Sequence, residues 1–286
     1  MTKKLLTIFA LALCLILSLT VFVGCGGNSD EGDGNADASV SKEMPATEAA
    51  DPADNFVGKW SLAAAESEGV TMAGNFGEMI GMSDDGMLSI NEDGSGKITL
   101  GKEDDDTVAF TWELKDDDTI TVTAEDDTDY TEKNFDIKYK DKALFMEMEE
   151  DDQVATAIFT HNGTYPEAKI ISMDGAEPIT SEDELLGKWK MTAMNFMGIS
   201  IYGSSEALEN MSGGTEMAIT FKEGGVASMK TSDGTWEIGK DGATLTSNDV
   251  TGTHTYPVKK LGDDIVIDMS ESLGGTEFIT LMSKAK

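Results

Sequence analysis

Apolar and polar positions alternate with a period of two along most of the chain. Val108, Phe110, Trp112 and Leu114 fall on one face of an extended segment, and Ala109, Thr111 and Glu113 on the other, as a half-buried antiparallel strand requires. Ile120-Thr121-Val122-Thr123 repeats the alternation. Turn signals about ten residues apart separate such runs, among them Asn91-Glu92-Asp93-Gly94, Asp116-Asp117-Asp118, Lys140-Asp141-Lys142, Lys240-Asp241-Gly242 and Gly262-Asp263-Asp264. Short strands spaced evenly by tight turns predict an all-β fold, an up-and-down antiparallel meander. Two stretches break the pattern. Met72, Phe76, Met79 and Ile80 follow helical spacing, and Ser205 to Met211 predicts a short helix closed by Gly213-Gly214.

The meander is written twice. Phe56-Val57-Gly58-Lys59-Trp60 returns as Leu185-Leu186-Gly187-Lys188-Trp189, Thr111-Trp112-Glu113 as Thr235-Trp236-Glu237, and Leu144-Phe145-Met146 as Ile265-Val266-Ile267. The offset drifts from 129 through 124 to 121 residues, the signature of changing loop lengths within matching modules. Residues 55–160 and 185–286 are therefore expected to be two tandem modules of about eight strands each, with 161–184 as connector. Within the connector, Ser181-Glu182-Asp183-Glu184 is a capping-box pattern and predicts one helical turn just before the second module.

The amino-terminal 54 residues read differently. Lys3 and Lys4 precede an apolar run from Leu5 to Val23 that ends in Gly24 and Cys25, the order of a secretion signal. Phe22-Val23-Gly24-Cys25 resembles the lipobox of bacterial lipoproteins, with Phe22 standing where leucine is usual. The resemblance implies a signal peptide over 1–24, diacylation of Cys25 and a chain held on the extracytoplasmic face of the bacterial cell membrane. A run of about 19 apolar residues also meets the length of an uncleaved transmembrane anchor. Cys14 lies inside the run, so cleavage leaves Cys25 as the single mature cysteine and no disulfide can form. Residues 25–54, rich in Gly, Ser, Asp and Ala, have too little apolar surface to offset the entropy of ordering. They are expected to form a flexible acidic tether spanning roughly 30 Å.

A Gly-x-Trp on the first strand of each module, a helical turn just before it and a meander of about eight short strands resemble the lipocalin-like domains of bacterial surface lipoproteins. The motif stands as Gly58-Lys59-Trp60 and Gly187-Lys188-Trp189. The resemblance implies a closed or half-open barrel able to hold a small apolar ligand, and with the repeat it gives the expected fold, two tandem up-and-down antiparallel β-barrels of about eight strands, each with one short helix.

Composition narrows the chemistry. The 286 residues carry a formal net charge of -33, and all 21 basic side chains are lysine. Such a field repels phosphate backbones, and no arginine fork is present to grip phosphate or guanine, so nucleic-acid binding is excluded. No Gly-x-Ser-x-Gly elbow or Gly-x-x-x-x-Gly-Lys loop occurs. The two histidines, His161 and His254, fall at different places in the two copies, which argues against a duplicated active site. Glu113 and Glu237 match in position but point away from the tryptophan face. Acidic runs such as Asp104-Asp105-Asp106 lack calcium-loop spacing and read as solvated hairpin turns.

The expectation is a non-catalytic protein without metal or cofactor that binds a small apolar or amphipathic ligand in one or both barrels. Its rival is a cell-surface interaction or structural protein with side-chain-filled barrels, whose partners are surface proteins. The candidate ligand-lining residues are Trp60, Trp112, Met79, Trp189, Trp236 and Met194. Tryptophan and methionine suit an adaptable apolar pocket, and they also suit plain core packing. Met191 and Met194 are expected on opposite faces of their strand.

Overall fold

The computed structural model describes residues 51–74, 76, 87–99, 107–125, 132–150, 153–230, 233–249 and 252–285. Cys25, the secretion signal, the tether up to residue 50, Met79 and Asp104-Asp105-Asp106 lie outside the described residues.

The fold is all-β and contains a closed eight-strand antiparallel barrel. A 3₁₀ turn at Pro52–Asn55 leads into β1 (Gly58–Ser67). The barrel continues through β3 (Leu88–Ile90), β4 (Ser95–Thr99), β5 (Thr107–Asp116), β6 (Thr119–Glu125), β7 (Glu132–Lys140), β8 (Ala143–Glu150) and β9 (Gln153–Thr160). Each strand pairs with the next, and β9 returns to β1. Inward residues alternate with outward ones, so Phe110 and Trp112 are buried while Thr111, Glu113 and, beside an irregular register at the strand end, Leu114 are exposed. At the 3₁₀ end the barrel is filled by Phe56, Trp60, Phe159, Leu88 and Ile90, all almost wholly buried.

In the second half, β10 (Glu177–Pro178) and a helical turn α1 (Glu182–Leu185) precede β11 (Gly187–Phe196). The capping pattern predicts that turn, and the Glu184 carboxylate accepts from the backbone N–H of Thr180 at 3.0 Å and of Ser181 at 3.2 Å. After β12 (Ile199–Gly203) comes the expected helix, α2 (Ser205–Met211), capped by the Ser204 hydroxyl on the Ala207 N–H. The chain then runs through β13 (Ala218–Lys222), β14 (Val226–Met229), β15 (Asp233–Gly239), β16 (Gly242–Asp249), β17 (Gly252–Leu261), β18 (Asp264–Asp268) and β19 (Phe278–Lys284). β11 pairs with both β13 and β19.

The halves are joined by backbone. Val70 pairs with Ser67 across Glu68-Gly69, whose φ values of 50° and 78° make a type I′ hairpin into β2 (Val70–Gly74). Met197-Gly198, at 52° and 78°, does the same for β12. β2 and β12 then pair antiparallel, Val70 opposite Gly203, Met72 opposite Ile201 and Gly74 opposite Ile199. Because the matching residues are 129 apart, this register is its own mirror under exchange of halves, a local two-fold centred on Met72 and Ile201. β9, β1, β2, β12, β11 and β19 thus form one continuous sheet. The connector packs on it through Ile171, which is buried against Ala193 and Leu281, and through Tyr165 and Ala168 against Ala64 and Ala73.

Two expectations change. Met72 lies in β2, not on a helix: the hairpin holds it in a half-buried sheet whose alternation also buries Val70. Met191 and Met194 do not face opposite sides. The register between β11 and β19 shifts between Met191 and Ala193, a bulge that adds one residue and returns Met194 to the inner face. The same shift falls between Leu62 and Ala64 in the first half.

Candidate functional site

A cavity of about 920 Å³ runs along β7 and β8 of the closed barrel. Ile98, Phe135, Tyr139, Met146 and Met148 reach it from the barrel interior, and Asp136, Lys138, Glu147, Glu149 and Thr156 from the outer face. Both faces contribute because the wall is parted. β7 and β8 pair only over Ile137–Lys140 with Ala143–Met146. Beyond these residues β7 stays on β6 as far as Glu132, and β8 stays on β9 as far as Glu150. Had the ladder continued in register, Asp136 would lie opposite Glu147, and like charges facing each other disfavour pairing. The parting sits at the end of the barrel away from the 3₁₀ turn, so the filled end and the parted seam are opposite.

In the second half the ladder ends at the equivalent place, since β17 and β18 pair only over Val258–Leu261 with Asp264–Ile267. β18 stops at Asp268, and a 3₁₀ turn at Ser270–Leu273 carries Met269 and Leu273 into apolar contact with the neighbouring core. Phe221 and Trp236 meet edge to face at 6.3 Å within that half, beside buried Leu245, Tyr256 and Val258.

The candidate tryptophans stand elsewhere. Each indole N–H donates to a backbone carbonyl: Trp60 to Phe56 at 2.8 Å, Trp189 to Leu185 at 2.7 Å, Trp112 to Asn91 at 3.0 Å and Trp236 to Lys222 at 3.0 Å. They tie the entrance to each half and a hairpin within it, and none of them lines the cavity. Met194 is fully buried in the core joining the halves. The lining residues Phe135, Tyr139, Met146 and Met148 were not singled out by sequence. Met-Glu-Met at 146–148 beside the alternating Phe135, Ile137 and Tyr139 carried a signal for an inward face, but only the end of the ladder shows which face opens.

Electrostatics at the rim are uneven. The Asp136 carboxylate is held below its usual range by the Lys115 ammonium, 2.6 Å away, and then by the Thr121 hydroxyl at 2.8 Å. Glu147 and Glu149 are exposed and make no ion pair with another described residue. His161 lies at the filled end, stacked on Trp60, and His254 stacks on Tyr256 in β17, so the two stand in different settings. Among the described residues no group of three or more His, Cys, Asp or Glu side chains is placed to hold a metal ion. Nor is any helix among them long and apolar enough to cross a membrane.

The class of protein that the fold defines is thus an all-β chain with a closed eight-strand barrel, parted along one seam. Comparison with protein-family models, with curated proteins and with solved structures finds no match to this chain.

Proposed function

We propose that this chain is a non-catalytic, extracytoplasmic bacterial lipoprotein, anchored through Cys25, with two tandem lipocalin-like modules of which the first binds a small apolar or amphipathic ligand. The observation that carries the ligand reading is the cavity of about 920 Å³ with Phe135, Tyr139, Met146 and Met148 on its inner wall, a size typical of small-molecule sites. The helical turn, Gly-x-Trp and ladder order that recur in both halves support the lipocalin-like reading. The second ladder, whose pairings also lead back to β11, is on this reading a second barrel. The interior of that half is occupied by Phe221, Trp236, Leu245 and Tyr256, which favours a different role there, a packed module presenting its outer surface to other surface proteins.

Native mass spectrometry of the chain without residues 1–25, purified without detergent, tests the ligand reading. A reproducible added mass, lost on denaturation and absent from Met148→Trp, is expected. A clean mass in the parent chain, together with no uptake of any apolar probe, would remove it. The anchor is tested separately: Cys25→Ser should leave the chain unprocessed or release it from membranes, and unchanged membrane retention with no lipid mass on the wild type would count against acylation.

A further inference from the structure

We infer that the ligand of the β7–β8 cavity is a cationic amphiphile, its apolar body among Phe135, Met146 and Met148 and its positively charged head, an ammonium or amidinium, at Glu147 and Glu149 on the parted seam. The inference rests on the cavity being a ligand site and adds the chemical class of what it takes.

Among the described residues the inner wall offers a polar head no ionic partner, whereas the outer wall is charged and one-sided. Five carboxylates, Glu66, Asp118, Asp136, Glu147 and Glu149, face the cavity against the two ammoniums of Lys138 and Lys140. Three of the five are already engaged: Asp136 by Lys115 and Thr121, Asp118 by the Thr119 hydroxyl at 2.8 Å, and Glu66 by the Thr71 hydroxyl at 3.3 Å. Glu147 and Glu149 remain. They are two residues apart on β8 and therefore share a face, roughly 7 Å from one another along the strand. Across the ladder, Glu149 stands beside Val154, a large apolar side chain left 51% exposed. Two carboxylates with no ion pair among the described residues, flanked by an exposed valine at a parting onto an apolar interior, match a molecule with a cationic head and an apolar shoulder. An anionic amphiphile would meet these carboxylates and the net charge of -33 at a loss. The parted seam also lets such a head stay in water while the body is buried, which a ligand held wholly inside a closed barrel could not do.

The test is calorimetric titration of the chain without residues 1–25, at low ionic strength, with three twelve-carbon probes below their micellar concentrations: dodecyltrimethylammonium, neutral monolaurin and anionic laurate. Dodecyltrimethylammonium is expected to bind about tenfold more tightly than monolaurin, and laurate more weakly than either. Glu147→Gln with Glu149→Gln should bring the cation to the affinity of monolaurin and leave monolaurin unchanged, while Met148→Trp should weaken all three. Because the double variant removes only two of 54 acidic side chains, loss of the preference would locate the head and not merely reduce the overall field. If monolaurin binds as tightly as the cation, or the preference survives in the double variant, the inference is overturned and the cavity reading stands. If none of the three binds the parent chain, both fall together.

Discussion

His161 stacks on Trp60 with ring centroids 3.7 Å apart, while its Nδ1 donates to the Lys59 carbonyl at 2.8 Å. In the second half Lys284 takes the same station, its ammonium 5.4 Å from the centre of the Trp189 ring and its backbone paired with Trp189. The histidine, which has no histidine at the equivalent place in the second half, therefore has a counterpart of another residue type at the end of the last strand. Each lid closes the outer side of a tryptophan whose indole is tied to the preceding turn.

His161→Ala should lower stability by about 1 kcal/mol, the scale of a ring contact beyond its buried area. His161→Lys should recover most of that loss, since a cation over an indole is what the other half uses. Urea denaturation of the three proteins decides the matter, and equal midpoints would mean that the stacking contributes nothing.

Gly58 has a φ of +139°, and a Cβ there would come within 3.2 Å of the His161 ring. Gly58→Ala is expected to cost ~1–3 kcal/mol through backbone strain and the displaced ring together. Introducing it beside His161→Ala should cost less, because only the backbone share remains. A cycle of the four proteins by thermal unfolding separates the two contributions, and strict additivity would show that the ring gives way freely.

Glu184 links α1 to β17. Two backbone N–H groups and Lys260, at 3.3 Å, hold its pKa at about 2, the Thr180 N–H foremost. A carboxyl lowered on folding contributes stability above its unfolded pKa, near the ordinary 4.5, and loses it as the pH falls toward 2. Glu184→Gln should therefore be less stable than the parent at neutral pH, with the gap closing between about pH 4.5 and 2. Parallel denaturation curves at several pH values would show it, and a gap independent of pH would assign the effect to lost capping geometry alone.

Gly203 faces the Gly69 carbonyl, which a Cβ would approach to 2.6 Å, and Gly74 faces the Gly198 carbonyl at 2.5 Å in the mirrored position. Gly203→Ala should force the two hairpins apart at a cost of ~1–3 kcal/mol. Hydrogen exchange should then quicken in β2 and β12 together, far from the cavity. Faster exchange confined to β12 would mean that the two strands do not depend on one another.

Much of this architecture is written locally. Strand alternation marks β5 and β6, the Ser181–Glu184 pattern marks α1, and Ser204 with Gly213-Gly214 frames α2, because each rests on neighbours within a few residues. What could not be read depends on where a ladder starts or stops. The bulge after Met191 changes which methionines share a face without leaving a turn residue to announce it. The pairing of β2 with β12 joins segments 129 residues apart, and no period in either strand names its partner, although the glycines at 74 and 203 are the side-chain-free positions that close approach needs. The cavity is illegible in sequence for the same reason: Phe135 and Met148 are ordinary inward residues of their strands, and only the separation of β7 and β8 opens the space beside them.

The mirrored register of β2 and β12 sets a limit on copy number. An edge strand that is satisfied by its own duplicate is used up once that duplicate is present, so the arrangement counts to two and stops. Stacked-repeat proteins can lengthen by adding units to a free end, but a third copy of this module would find no open β2 to join. Among the described residues β2 and β12 close on each other, and neither half leaves that strand edge open for a further partner.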